Sequence, residues 1–482
     1  MNNSQRTKPG DKIVRPRRFG RYRLKRVLGI PALFSAGYGN VGSSIYYALG
    51  IVALVALGAT PIVLGIAGLL FILNALTYAE GTAMLPESGG SASFARNAFN
   101  EGTGFVAGWA LMLSYIVTMA ISAFTIPPYL SHFWPSLLEP AVSTVVSIGI
   151  ILFLMAINVL GIRESSRINI FFILVDIGTQ LTLVVLGVVL ILAVNPTVLV
   201  QNMFGEGNWP SPQNLIFGIA IAALCFTGVE TVSQLAEETR QPQSRIPRAY
   251  ILMIAAVLVL FAGISVVALS AMTPQELGSV DGWARDPVAG IAANLPSETL
   301  QSIFAPLVAV LAASILLTAT NAGLIGISRL AYNMSTHRQL PEKLNRIHKR
   351  FRTPYVAIII FCTIAVVLLI PGFFNVGFFA DLGTLYVFGS LLSFGLAQAA
   401  ILGLRIKKPD LPRPFKLKPN IKIKGREIPL ITLIAFIGTT TVWVVVIANP
   451  EQAFGRWFGI AWMVIGLTLF YLYRRKQKLS LK

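Results

Sequence analysis

The chain has 482 residues, of which 55% are hydrophobic and only 12% are charged, whereas soluble domains carry about 25% charged residues. This composition excludes a soluble enzyme and indicates a protein that lies in a lipid bilayer. The net charge of +19 would suit a nucleic-acid-binding protein, but the basic residues lie in the segments between apolar stretches, so we expect no nucleic-acid partner.

Apolar stretches of about 20 residues, each long enough to cross a membrane as a helix, recur along the whole chain. The first stretch follows 29 polar residues without a small-residue cleavage site, so we expect a retained helix and not a removed signal peptide. We predict twelve spans, at residues 30–57, 61–84, 104–130, 142–161, 168–194, 214–236, 249–271, 301–327, 355–371, 377–404, 429–448 and 454–473.

The basic residues predict the orientation of these spans. All but two of the 39 Lys and Arg fall on one side of the predicted membrane, and only Arg285 and Arg456 fall on the other. Basic loops remain in the cytoplasm, so we expect a multi-pass protein of the cell membrane with both termini cytoplasmic. The basic tail, residues 1–29, is an orientation signal that also touches anionic lipid.

The first predicted span contains the sequence GYGNVGSSIYYALG. Its glycine spacing matches a dinucleotide-binding loop, but such a loop needs an acidic residue about 20 positions further on. No charged residue occurs from Leu28 to Ala79, which contradicts that interpretation. Glycines and serines hold a straight helix poorly, so we expect the helix to open here, although the glycines would also allow close helix packing.

The sixth predicted span is interrupted in a similar way. It contains the sequence ALCFTGVETVSQLAEETR, which places Thr227, Gly228 and Glu230 within an otherwise apolar helix. The two interrupted spans are the first of two halves of five spans, and an odd number makes the second half enter the membrane from the opposite side. This arrangement is typical of inverted-repeat transporters, in which paired broken helices present charge-complementary ends to a zwitterion such as an amino acid.

Five segments in the right order resemble the amino acid-polyamine-organocation (APC) transporter superfamily. The most specific is FTGVETVSQLAEETRQPQSRIPRA, which resembles the family's glycine-glutamate helix and the cytoplasmic turn that follows it. The other four segments are YAEGTAMLPESGGSASFARNAF, INVLGIRESSRIN, SRLAYNMSTHRQLPEKLNRIHKRFRTP and KKPDLPRPFKL.

The resemblance implies an all-α membrane protein with a 5+5 inverted-repeat fold and two further C-terminal helices, which transports its substrate by alternating access. The implied segments are the N-terminal tail (1–29), the first repeat (30–194), the second repeat (214–404), a basic cytoplasmic loop (405–428), spans 11 and 12 (429–473) and a C-terminal tail (474–482). We also expect a short cytoplasmic helix within 86–102, and short helices that cover the outer vestibule within 272–300.

The resemblance also implies a substrate site. In the family, the segment that matches Val41, Gly42, Ser43, Ser44 and Ile45 holds the substrate carboxylate, and the carbonyls that match Phe226, Thr227 and Gly228 receive the amino group. Ser44 departs from the usual glycine, and a serine there leaves the backbone break intact while it narrows the break or adds a hydroxyl donor. The implied walls include Met112, Tyr115 and Leu224.

Two acids within the spans are candidates for ion coupling. Glu230 matches a glutamate that the family links to gating and proton coupling, with capping of a half-helix as the alternative. Asp176 falls where many proton-coupled relatives carry a lysine, so it would take up and release a proton, help to hold a cation, or serve as a hydrogen-bonded structural acid. Glu80 is interpreted as a structural acid, and Asp381 as an acid at the solvated start of a helix.

The apolar walls favour a neutral amino acid, transported with protons or sodium. A basic amino acid or polyamine, received by Glu230, and a potassium or cation carrier on the same scaffold remain alternatives. We expect no cofactor and no metal site, because Cys225 and Cys362 lie in spans and the three histidines lack metal-ligand spacing. An integral membrane enzyme is disfavoured because no nucleophile-base pair is recognisable.

Overall fold

The computed structural model is predominantly helical. It describes residues 26–161, 166–194, 197–351, 353–375, 377–423, 425–450 and 453–480. The basic tail up to residue 25 and part of the segment INVLGIRESSRIN therefore lie outside the described residues.

The helices are long, and many lie close to the predicted spans. Those of the described residues are α1 (Ile30–Val41), α2 (Ile45–Ala56), α3 (Thr60–Met84), α4 (Ser91–Ala98), α5 (Glu101–Leu130), α6 (Pro140–Leu160), α7 (Ser166–Val194), α8 (Thr197–Phe204), α9 (Pro212–Ala222), α10 (Thr231–Gln234), α11 (Pro242–Ala271), α12 (Pro274–Gly278), α13 (Pro287–Ala293), α14 (Glu298–Thr336), α15 (Tyr355–Leu368), α16 (Phe378–Lys407), α17 (Leu430–Ala448) and α18 (Ala453–Lys476).

Eleven helical segments of the described residues are long and apolar enough to cross a membrane. One of them, Ile30–Met84, has 55 residues and would measure about 80 Å as a straight helix, far more than the roughly 30 Å of a bilayer core. It turns through the 3₁₀ segment Leu57–Ala59, where Leu57 has a φ of 46°. This turn coincides with the predicted boundary between the first two spans.

Contacts between loops define two faces of the bundle. On one, called the N-terminal face, Leu28 pairs with Thr239 in a parallel β-bridge. On the other, called the opposite face, the Gly58 N–H donates to the Asn208 carbonyl. Further contacts place segments 85–100, 236–241, 337–351 and 408–423 at the N-terminal face, and segments 131–139, 205–211 and 272–297 at the opposite face.

Helix α5 lies at the centre of the bundle, packed between α14 and α16. In its most apolar stretch 94% of the residues are buried, against 22% for α17 and 28% for α18. Two tryptophans join α18 to α5. The rings of Trp109 and Trp462 stack with their centroids 4.5 Å apart, and the indole N–H of each donates to the backbone carbonyl of the other. The two C-terminal helices therefore lie at the perimeter, where apolar side chains can face lipid.

Short elements fill the loops. Helix α4 lies within the 86–102 segment, and α12 and α13 lie within 272–300, as predicted. Two elements were not expected: α8, which follows the fifth span, and a hairpin of antiparallel strands β1 (Asn420–Ile423) and β2 (Arg426–Pro429) in the basic loop. The hairpin turns at Gly425, whose φ is 76°.

Candidate functional site

The first span narrows at its glycines but does not open. Between α1 and α2 the residues Gly42–Ser44 form one 3₁₀ turn, and Val41, Gly42 and Ser44 all keep right-handed helical backbone angles. The Ser43 hydroxyl donates to the Asn40 carbonyl at 2.8 Å. This bond gives a partner to a backbone carbonyl that the 3₁₀ turn would otherwise leave without one. The structure differs here from the expectation of an opened helix.

The sixth span, in contrast, is truly broken. After α9 the chain forms a 3₁₀ turn over Ala223–Phe226, becomes extended at Thr227 with a ψ of 161°, and reverses at Gly228 with a φ of 100°. A side chain other than glycine's would be strained there, and a Cβ on Gly228 would stand 2.7 Å from the Asn40 amide nitrogen. Helix α10 begins only at Thr231.

The two interrupted spans meet through the side chain of Asn40. Its amide nitrogen donates to the Thr231 hydroxyl at 2.7 Å and lies 3.5 Å from the Gly228 carbonyl oxygen. Asn40 is 1% exposed. The side-chain amide of Asn40, in the first span, therefore contacts residues at the break in the sixth span and directly after it.

All eleven residues that were predicted to form the substrate site and its walls are buried. Leu224 lies close to Gly383 of α16, and the Phe226 ring packs 5.3 Å from the rings of Phe71 and Phe261. The Tyr115 ring touches α14 at Gly326. The structure therefore packs residues from five further helices around the two turns, and the region is closed in this conformation.

Glu230 lies next to the break and is completely buried. Neither of its carboxylate oxygens has a hydrogen-bond partner among the described residues, and none of the described ion pairs includes it. Five buried tyrosines lie near enough for its charge to act on them, namely Tyr47, Tyr78, Tyr115, Tyr250 and Tyr386. An unpaired buried carboxylate is costly, so this site suits a proton or a cationic group.

Asp176, in contrast, is fully hydrogen-bonded. Its carboxylate accepts from the hydroxyls of Tyr46 at 2.5 Å and Tyr38 at 3.2 Å, and from the Gln180 amide at 2.8 Å. Tyr38 belongs to α1 and Tyr46 to α2, so one carboxylate of α7 contacts the chain on both sides of the narrowed turn. The two acids singled out in the sequence thus occupy opposite kinds of environment.

The other two acids occupy positions that agree with their structural interpretation. Glu80 is fully buried and accepts two hydrogen bonds from Arg405, each 2.7 Å long, and a third from the Leu417 N–H. Asp381 lies in the first turn of α16 and is partly exposed, where a carboxylate is favoured by the helix dipole.

At the N-terminal face, contacts between segments close the bundle next to the exit of the sixth span. The bridge between Leu28 and Thr239 joins the start of α1 to the exit of the sixth span. Glu238, beside that bridge, pairs with Arg329 of α14 at 2.8 Å, and Glu237 accepts from the Ser88 N–H at 3.0 Å. Three segments therefore seal the region from this side.

Two surface cavities, of about 330 and 450 Å³, both lie at the N-terminal face away from the interrupted spans. Their walls include Tyr473 and Phe415 respectively. Among the described residues no cluster of three His, Cys, Asp or Glu side chains could hold a metal ion.

Comparison with known proteins decides the family. The family model described as "Amino acid permease" matches residues 28–470, which include both interrupted spans. The chain belongs to the amino acid permease family. The resemblance to the APC superfamily is thereby confirmed, and a membrane transport protein is the function class that the family supports.

Curated relatives align with the permease over nearly its whole length. The branched-chain amino acid permease BcaP and the methylthioribose transporter of Bacillus subtilis are each 27% identical to it, and each alignment covers 95% of both chains. The large neutral amino acids transporter small subunit 2 of Homo sapiens is 27% identical over 93% of this chain and 80% of its own. These family members are transporters and not enzymes.

Three residues of the candidate site were not predicted from the sequence. Asn40 lies inside the motif GYGNVG that was singled out, and an amide in a span free of charged residues is a signal that could have identified it. The partners of Asp176, Tyr38 and Tyr46, also lie in or near that motif. Which of them face the fifth span depends on helix rotation, which the sequence does not show.

Proposed function

We propose that this permease is a secondary active transporter of amino acids that works by alternating access across the cell membrane and is coupled to protons. The observation that carries the proposal is the buried meeting of two interrupted spans, in which Asn40 holds the break at Gly228. Family membership and the names of the relatives support the same function.

The substrate groups are assigned by the resemblance. Val41, Gly42, Ser43, Ser44 and Ile45 receive the carboxylate. The carbonyls of Phe226, Thr227 and Gly228 receive the amino group. Tyr115 and Leu224 form walls of the site.

A neutral substrate is favoured because the walls around the breaks are apolar or aromatic, and two relatives are named for branched-chain and large neutral amino acids. One observation favours the second candidate, a basic amino acid or a polyamine: the carboxylate of Glu230 is buried without a partner among the described residues. A cationic side chain that reached Glu230 would neutralise it.

The proposed layout has twelve spans with both termini in the cytoplasm. It is supported by the turn within Ile30–Met84, which divides that segment in two. Contacts that hold the segments after the second and sixth predicted spans at one face, and those after the third and seventh at the other, support it as well. The first and sixth spans then begin two halves of five spans with inverted orientation.

The test is uptake of radiolabelled leucine by purified protein in liposomes, under an imposed proton gradient, sodium gradient or neither. We expect saturable, proton-driven uptake that is blocked by other neutral amino acids and abolished by an uncoupler. The matched control is Gly228→Ala, which strains the break by about 1–3 kcal/mol and should transport little.

Competitors in the same assay separate the alternatives. Each compound is also offered in labelled form: uptake of lysine or putrescine without uptake of leucine would favour a cationic substrate, and uptake of methylthioribose alone would favour the chemistry of that relative. Potassium flux that is indifferent to all amino acids would reject the proposal. Uptake driven by sodium and not by protons would reject proton coupling alone.

A further inference from the structure

A continuous chain of polar contacts leads from Asp176 to the opposite face. It begins at the carboxylate, which accepts from the Tyr46 hydroxyl at 2.5 Å. Three donors, from Tyr38, Tyr46 and Gln180, surround this carboxylate, and a carboxylate accepts through both oxygens. Hydrogen bonds to an ionised acceptor are about twice as strong as neutral ones, so the position of the Tyr46 side chain depends strongly on Asp176.

The next contact runs through the Tyr46 backbone. Its carbonyl accepts from the Tyr129 hydroxyl at 2.7 Å, and the two rings pack edge to face with centroids 5.5 Å apart. Tyr129 lies at the end of α5, directly after Pro127 and Pro128. Prolines weaken the ladder of helix hydrogen bonds, so these contacts from Tyr46 contribute much to the placement of Tyr129.

The last contact reaches α13. The Tyr129 hydroxyl accepts from the Val288 N–H at 3.3 Å, one of the donors that a helix start leaves without an intrahelical partner. Asp286, the residue immediately before this helix, supplies no side-chain cap. Tyr129 therefore uses its single hydroxyl as donor to the first span and acceptor from α13.

Helix α13 closes the opposite face of the bundle over the second half of the first span. Val288, Ile291 and Ala292 are 0% exposed. Just before the helix, the Ala284 carbonyl oxygen stands where a side chain on Gly50 of α2 would lie. A path to the interrupted spans that passes between α2 and α13 would therefore need α13 to move.

We propose that Asp176 is a positioning residue which, through Tyr46 and Tyr129, holds α13 closed over α2. The inference rests on the proposed alternating-access transport, because only in such a cycle does α13 open and close. By this proposal the Asp176 carboxylate, in the fifth span, also controls the position of α13 at the opposite face, in addition to any exchange of protons. Loss of the Tyr46 hydroxyl breaks the link and leaves the Tyr46 carbonyl in place.

The test measures how often α13 opens, in detergent and without any substrate. A cysteine replaces Ala292, and its rate of reaction with a maleimide is compared between the parent and the variants Tyr46→Phe, Asp176→Asn and Tyr129→Phe. Protein without the new cysteine reports the reaction of the buried Cys225 and Cys362. We expect Tyr46→Phe and Asp176→Asn to raise the rate about tenfold through the loss of a bond to the carboxylate. Tyr129→Phe should raise it by about as much, because it loses two neutral hydrogen bonds at once.

Two matched controls remove tyrosine hydroxyls from other places. Tyr38→Phe takes a donor from the same carboxylate but on the α1 side, and Tyr473→Phe removes a hydroxyl of α18 that has no hydrogen-bond partner within the described part of the chain. Both should change the labelling rate less than twofold.

An unchanged rate in Tyr46→Phe, with a raised rate in Tyr129→Phe, would show that the Tyr129 contact acts only locally and would overturn the proposal. An equal rise in all the tyrosine variants, controls included, would also overturn it by indicating general loosening. If Asp176→Asn does not fold, the Tyr46→Phe result decides. Because labelling needs no transport, failure of the liposome assay and failure of this inference are distinguishable.

Discussion

At the scale of single residues, two buried acids of similar sequence context differ in what surrounds them. Asp176 accepts from three side chains, whereas Glu230 has no hydrogen-bond partner among the described residues. A carboxylate that lacks donors favours its neutral form, and one that is surrounded by donors tolerates a charge. The coupling role proposed for both acids can therefore be tested separately for each.

Asp176→Asn should remove the response of uptake to pH. Moving one charge through a membrane potential supplies about 2.3 kcal/mol per 100 mV, so loss of a coupled proton should lower accumulation by roughly tenfold or more while counterflow persists. Uptake is measured in liposomes from pH 5.5 to 8, with Asp381→Asn as a matched acid control. Unchanged pH dependence in Asp176→Asn would defeat the coupling role.

Asn40 and Thr231 should act as a pair. Asn40→Ala and Thr231→Val each remove the 2.7 Å bond between the two interrupted spans, at a cost of about 0.5–1.5 kcal/mol, which we expect as a several-fold rise in the KM for uptake. The double variant should be no worse than the poorer single one.

The control for this pair is Thr439→Val, which removes another buried hydroxyl that bonds to a side-chain amide, far from the breaks. It should leave the KM unchanged. Strictly additive effects of the first two substitutions would show that the bond does not couple the spans.

At the scale of elements, the N-terminal face is held by contacts between α4, α14 and the exit of the sixth span. Arg96 of α4 pairs with Glu87 at 2.5 Å and also contacts the His337 ring, directly after α14. Burial, and then the neighbouring Arg96 guanidinium, lower the pKa of His337 to about 4. A neutral imidazole can accept from the guanidinium, whereas a protonated one would repel it.

This contact should weaken in acid. An unfolded histidine binds its proton near pH 6.5, so between about pH 6.5 and pH 4 the unfolded state holds more protons than the folded state. The free energy of unfolding therefore falls as the pH drops through this window and is level above it. Thermal unfolding from pH 7.5 to 4.5 should show a shallower decline in His337→Gln than in the parent.

The control for that series is His348→Gln. The His348 ring stacks on Phe351 at the same face and does not contact Arg96. It should keep the decline of the parent. If His337→Gln loses stability in acid as steeply as the parent does, this histidine is not the source of the effect.

At the scale of the whole molecule, the proposed orientation makes a test of sidedness available. Exposed positions Lys349, in a segment of the N-terminal face, and Glu206, in a segment of the opposite face, can each be replaced by cysteine. In intact cells a membrane-impermeant maleimide should label Glu206→Cys and spare Lys349→Cys, and inverted vesicles should reverse the result. The native cysteines are buried and should not react. Labelling of both positions from one side would contradict the layout.

Much of the architecture was predictable because hydropathy reports burial in lipid directly. Many of the helices fall close to predicted spans, since an isolated apolar stretch in a bilayer must pair its backbone groups within a helix. The break in the sixth span was predictable for a similar reason, because Gly228 tolerates the φ of 100° that it adopts. The β-hairpin was missed because polar loops carry no comparable signal.

The sequence by itself determined that this protein is a helical membrane permease, since composition, span length and family motifs are local properties of the chain. Only the tertiary structure decided that the first span tightens without opening, that Asn40 joins the two interrupted spans, and that Asp176 has three donors while Glu230 has none among the described residues. The physical reason is that hydrogen bonding between spans depends on how each helix is rotated and how deep it sits. Those quantities are set by the packing of all the helices together.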